Sequence, residues 1–64
     1  MNDETLTFAI ETWTAGGSVE RVIGRVGPLL VAKAAFAEAC RRYPAAHLTL
    51  RQRARVIEEH RPDR

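Results

Sequence analysis

Cys40 is the chain's single thiol, and a thiol becomes a nucleophile when a nearby base takes its proton. His47 is the nearest histidine, seven positions on and beyond Pro44. Cys40 falls beside the apolar stripe of a helical pattern, where cysteine behaves as a small buried hydrophobe, so a structural role is expected. A metal centre needs three or four converging ligands. Cys40, His47 and His60 are the soft or borderline donors, with no Cys-x-x-Cys or His-x-x-x-His spacing among them. Glu58 and Glu59 adjoin His60 near the chain end. No metal site is expected. Gly16-Gly17-Ser18 and the pair Gly24 and Gly27 match neither the Walker spacing nor G-x-G-x-x-G, the two arrangements that cradle phosphates. They read as turn and bulge glycines, and no cofactor is expected. Glu11 and Glu20 suggest an acid pair facing across a hairpin. The plainer reading has them solvated, or bonded to Arg21, Arg25 or the Arg51–Arg55 series.

Two further sets suit binding rather than catalysis. Arg51, Arg53 and Arg55 alternate; on one continuous strand they project from one face at intervals of about 6.6–6.8 Å, twice the strand rise. That spacing suits contacts to a phosphodiester backbone, with Trp13 as a stacking surface. The plainer reading pairs these arginines with Glu11, Glu58 and Glu59 on a wet sheet face. Trp13, Ile23 and Ile57 form the second set. They fall with Ala9, Arg21, Arg25, Arg51 and Arg53 on a sheet face that a single helix leaves bare, and Trp and Arg are enriched where proteins bind one another. The competing reading has Trp13 closing the end of a monomer core.

Both sets depend on the elements that hold them. From Thr5 to Trp13, Leu6, Phe8 and Ile10 alternate with Thr7, Ala9 and Glu11, the period-two pattern of a half-buried strand. Gly16-Gly17 lies in the following Thr14–Ser18 connection, where a tight turn needs positive φ. Val19–Val26 reads as a second strand, with Val22 and Val26 on one face, Arg21, Ile23 and Arg25 on the other, and Gly24 marking a bulge or close approach. Pro28 suits the first helical position. Leu29–Tyr43 is Ala-rich, and Leu29, Ala32, Phe36, Ala39, Cys40 and Tyr43 repeat at helical spacing. Arg41 and Arg42 complement the dipole in the last turn, and Pro44 ends the element.

His47–Glu59 admits two readings. As a strand, Leu48, Leu50, Ala54 and Val56 share one side; as a helix, Thr49 and Gln52 form a capping box and Leu50, Ala54 and Ile57 a stripe. Extended structure is preferred, and a tight hairpin around Gln52-Arg53 would make four strands from three. The run LeuLeuValAlaLysAlaAlaPheAlaGluAlaCysArgArgTyrPro, with LeuThrLeuArgGlnArgAlaArgValIle after it and PheAlaIleGluThrTrp before it, resembles a set of small bacterial proteins of unknown function. The likeness covers most of the chain and is one of pattern. It implies the strand reading for the C-terminal segment, implies no activity, and transfers no functional residue.

Composition sets the bounds. The chain has 64 residues, 45% hydrophobic and 28% charged, a globular rather than a disordered balance. A chain this short has a thin core, and self-association is a common remedy. Charge is uneven: three basic against five acidic residues up to Ala39, seven arginines against three carboxylates from Cys40 on. The excess is far below the basic stripe of a strong nucleic-acid binder. The acidic start Met1-Asn2-Asp3-Glu4 reads as no secretory signal, no run approaches the roughly 18 apolar residues of a membrane span, and a lone cysteine fits a reducing compartment. A cytoplasmic location without membrane partners is expected.

The expectation is one α+β domain over residues 1–64, with 1–4 and 61–64 fraying. It is a two-layer ββαβ(β) arrangement with one helix on a small antiparallel sheet. Phe8, Ile10, Val22, Leu29, Phe36, Tyr43, Leu48, Leu50 and Val56 are the expected core. With no nucleophile–base–orienter set in view, an enzyme is not expected. The leading function is an interaction module, homodimeric through Trp13, Ile23 and Ile57; the alternative is a weak, sequence-tolerant nucleic-acid binder using Arg51, Arg53 and Arg55.

Overall fold

The computed structural model describes residues 7–62. Its elements run β1 (Phe8–Trp13), β2 (Val19–Val26), α1 (Leu29–Arg42), β3 (His47–Gln52) and β4 (Arg55–His60). The strands form one four-stranded sheet in the order β2-β1-β3-β4, with every neighbouring pair antiparallel. α1 packs on one side, against β1, β2 and β3. This is an α+β domain of ββαββ order, so the C-terminal segment is extended, and the hairpin option within it is the one realised. Thr5 and Leu6, expected to open the first strand, lie outside the described residues, as do 1–4 and 63–64 of the expected frayed ends. Arg61 and Pro62 follow β4 without regular structure. None of the described helices is long and apolar enough to cross a membrane.

The layer under the helix is the core. Phe8 and Ile10 of β1, Ala32, Phe36 and Ala39 of α1, and Leu48 and Leu50 of β3 are buried together, the two leucines at 0% exposure. Removing each large apolar side chain from water stabilises the fold by about 1.5–3 kcal/mol. The alternation of β1 delivers Phe8 and Ile10 to this side, as its sequence requires. Directly opposed residues share a face, so the pairs Ile10–Leu50 and Thr12–Leu48 align the two central strands over the helix.

Four expected core residues are outside it. Val22 and Val56 are 39% and 49% exposed, and both are displaced by a bulge. In β2 the partners pass from Ile10–Gly24 to Glu11–Val22, which leaves Ile23 as an extra residue. In β4 they pass from Leu50–Glu58 to Arg51–Val56, which leaves Ile57 extra. One added residue resets the period-two alternation. Val22 therefore stands opposite Glu11, and Val56 opposite Arg51, on the side away from the helix. Ile23 and Ile57 instead pack against the core cluster. Leu29 and Tyr43 are exposed because α1 buries only its middle turns, through Ala32, Phe36 and Ala39; the two ends of its apolar stripe overhang the sheet.

The connections follow local chemistry. In the first hairpin the Thr14 N–H donates to the Ser18 carbonyl (2.8 Å) and the Gly17 N–H to the Thr14 carbonyl (3.0 Å). Gly17 sits at φ 90°, where a side chain is strained. Pro28 stands one residue before the helix, in extended conformation, and its carbonyl accepts the Ala32 N–H at 2.9 Å. The helix ends at Arg42, one residue before the expected Tyr43, whose N–H still donates to the Ala39 carbonyl at 2.8 Å. The last hairpin turns at Arg53-Ala54, between the paired Gln52 and Arg55, with Arg53 at φ 55°.

Candidate functional site

The register assigns each strand residue to the helix side or the bare side. Three rows cross the bare side: Arg25, Ala9, Arg51 and Val56; Val22, Glu11, Thr49 and Glu59; Val19, Trp13 and His47. Glu11 lies in the middle and is only 3% exposed, although no helix covers it. An ionised carboxylate tolerates such burial only when paired and hydrogen-bonded. Arg51 Nη2 donates to Glu11 Oε2 at 2.5 Å. Thr49 Oγ1 donates to Glu11 Oε1 at 3.4 Å. The indole Nε1 of Trp13 donates to Thr49 Oγ1 at 2.9 Å. No described buried side-chain polar atom lacks a hydrogen-bond partner.

The chain of contacts continues through Trp13. The His47 ring stacks on the indole, centroids 5.8 Å apart at 28°. His47 Nε2 meets Glu59 Oε2 at 2.6 Å, and Glu59 also accepts from Arg61 Nη2 at 3.2 Å. Polar and aromatic groups from β1, β3, β4 and the segment after it are thus joined in one run of contacts. Around them Val19, Val22 and Val56 remain exposed.

The expected interface residues separate. Trp13 lies on the bare face and is partly buried there. Ile23 and Ile57 are not beside it, because the bulges turn them toward the core. Their places on the bare face are taken by Val22 and Val56, one position earlier in each strand. Gly24 marks the first of these bulges in the sequence, one residue from the extra Ile23; the second has no such mark, and valine and isoleucine suit a strand equally well.

The arginine row is broken in the same region. Arg51 is on the bare side and held by Glu11. Arg53 is in the turn, and Arg55 pairs with Gln52 on the helix side. A two-residue turn reverses the chain where a single strand was assumed, so the three guanidinium groups share no face. The pairing of Arg51 with Glu11 is the plainer alternative that the sequence offered; the bridging role of Thr49 had no signal in it.

Cys40 and His47 do not meet. Cys40 is on the helix and partly buried, while His47 lies on the opposite side of the sheet. Burial, and to a lesser degree the Glu58 carboxylate, push the Cys40 thiol above its ordinary range, which disfavours the thiolate. Glu58, Glu59 and His60 are also dispersed: Glu58 pairs with Lys33 (3.7 Å), Glu59 with His47, and His60 Nε2 lies 3.1 Å from the Pro44 carbonyl. No group of three or more His, Cys, Asp or Glu among the described residues is arranged to hold a metal ion. Glu11 faces Val22 rather than Glu20, and the paired glycines serve a hairpin.

The fold and this face define a small two-layer α+β domain with one clad and one bare sheet surface. Comparison with protein-family models, curated proteins and solved structures gave no match.

Proposed function

We propose that the protein is a non-enzymatic interaction module that takes a second copy of itself on the bare sheet face. The supporting observation is the half of that face nearest the first hairpin. There the preorganised Trp13–His47 pair is flanked by exposed Val19 and Val22, an aromatic-plus-apolar surface of the kind that forms interface centres. Residues locked before association lose little side-chain freedom on binding. The opposite half carries Arg25 and Arg51, and like charges facing each other across a two-fold oppose contact there. The interface centre is therefore assigned to the hairpin half.

Four strands about 4.8 Å apart and six to eight residues long make the whole bare face about 20 by 20 Å, so its hairpin half falls at the low end for a specific interface. The dimer is accordingly weak and concentration-dependent. The separation of Cys40 from His47 favours binding over catalysis, and the lone thiol favours a reducing, cytoplasmic setting. Light scattering after gel filtration, from micromolar to near-millimolar protein, tests the reading. The mass is expected to climb toward twice that of one chain, and Val22→Arg, an exposed site outside the core, to hold it at one chain. A single-chain mass over the whole range overturns the proposal.

A further inference from the structure

The lysine and arginine side chains of the described residues fall into two groups. Lys33, Arg41, Arg42, Arg51 and Arg61 are each in an ion pair. Arg21, Arg25, Arg53 and Arg55 have no side-chain hydrogen bond or ion pair among the described residues, and all four are exposed. Three of these four gather at one end of the sheet. Arg25 and Arg51 both stand opposite Ala9, about 10 Å apart across two inter-strand spacings, and just beyond Arg51 come Arg53 in the turn and Arg55 at the start of β4. Among the described residues no unpaired carboxylate faces them. Glu11 is taken by Arg51, Glu58 by Lys33, and Glu20 lies at the far, hairpin end of β2. Unopposed charge collected at one end makes a local positive potential that draws anions. Planar guanidinium forks match phosphate oxygens in particular.

We propose that this end of the domain binds the phosphodiester backbone of a single-stranded nucleic acid through Arg25, Arg53 and Arg55. The arginines are too spread to converge on one phosphate. They also lie on different levels: Arg25 on the bare face, Arg53 at the tip of the turn, Arg55 on the helix side. Following that bend costs a stiff duplex deformation energy that a flexible single strand does not incur. Contacts limited to phosphates position the strand without reading its sequence. The site is separate from the Trp13 half of the sheet and does not depend on self-association.

The test is fluorescence anisotropy with a labelled oligothymidine at several salt concentrations. Each phosphate neutralised on a single strand contributes about −0.7 to the slope of log K against log salt, so three contacts give a slope near about −2. Arg53→Gln with Arg55→Gln is expected to weaken binding about tenfold at low salt and to reduce the slope by about 1.4. Arg25→Gln with Arg55→Gln repeats the test without touching the turn. Arg41→Gln with Arg42→Gln removes the same charge from the helix end and is expected to leave the slope unchanged. The proposal is overturned by absence of salt-sensitive binding at low ionic strength. Equal losses from the turn pair and the helix pair also overturn it, since net charge alone would then act. So does arginine-dependent binding to anionic vesicles without binding to the oligonucleotide. Gel-filtration mass, measured in parallel, reports on self-association and can fail or succeed independently.

Discussion

Replacing Glu11 tests whether the polar network on the bare face stabilises the fold. Glu11→Ala removes the acceptor for Arg51 and Thr49 at a site only 3% exposed. Breaking a fully buried ion pair costs about 3–5 kcal/mol, because the surviving charge is left without a partner. Here the surviving Arg51 side chain is 32% exposed, so water screens part of that cost and about 2 kcal/mol is expected. In a domain this small, 1 kcal/mol moves the melting temperature by about 4–8 °C, so Glu11→Ala should melt about 8–16 °C lower. The whole stability of such a chain is about 3–10 kcal/mol, which makes the loss easy to detect by far-ultraviolet circular dichroism in heat and in urea. Arg51→Ala and the double variant complete a cycle, and a coupling energy above about 1 kcal/mol is expected for residues in direct contact. The double change to leucine at both positions should recover much of the loss, since matched apolar groups need no partner. A Glu11→Ala melting point within about 2 °C of the parent, or a coupling near zero, would refute the reasoning and reduce the network to a surface decoration.

Other outcomes follow from single positions. Leu48→Ala empties part of a site with 0% exposure and should cost about 2–5 kcal/mol, leaving a chain that melts near or below room temperature by circular dichroism. Gly17→Ala forces a side chain into φ 90° and should cost about 1 kcal/mol, read from the urea midpoint. Cys40 should react with a disulfide reagent at neutral pH more slowly in the folded than in the urea-unfolded chain. Its thiol is raised by burial first and by Glu58 second, so the folded state holds the proton harder. That contribution to stability is intact below the thiol's ordinary pKa and is lost as pH climbs through the raised folded value. Cys40→Ala should therefore flatten the alkaline decline of the melting temperature.

Much of the architecture is written in local patterns. Period-two alternation in Phe8–Trp13, paired glycines in a five-residue connection, and an alanine-rich run closed by Pro44 each admit one element. The order strand, strand, helix follows from them, with one helix for one side of a sheet; His47–Glu59 is extended by preference, and its division into two strands stays open in the sequence. Phe8, Ile10, Phe36, Leu48 and Leu50 are core on their spacing alone, because side-chain direction in a regular strand or helix is fixed by the backbone period.

What only the tertiary structure decided is which residues each slip of that period turns toward the core, and that β4 slips as well as β2. Ile23 and Ile57 are extra residues in the two edge strands, where bulges are most easily accommodated because one side of the strand has no ladder to disrupt. These two bulges each exchange an isoleucine for the preceding valine between core and bare face, and residue type does not distinguish the two outcomes. The Arg53-Ala54 turn lacks the glycine that would announce it and relies on an arginine at positive φ. The pairing of Glu11 with Thr49 and Arg51 joins residues some forty positions apart. The amino-acid order supplies those three groups, but only the antiparallel register of β1 and β3 brings them within hydrogen-bonding reach.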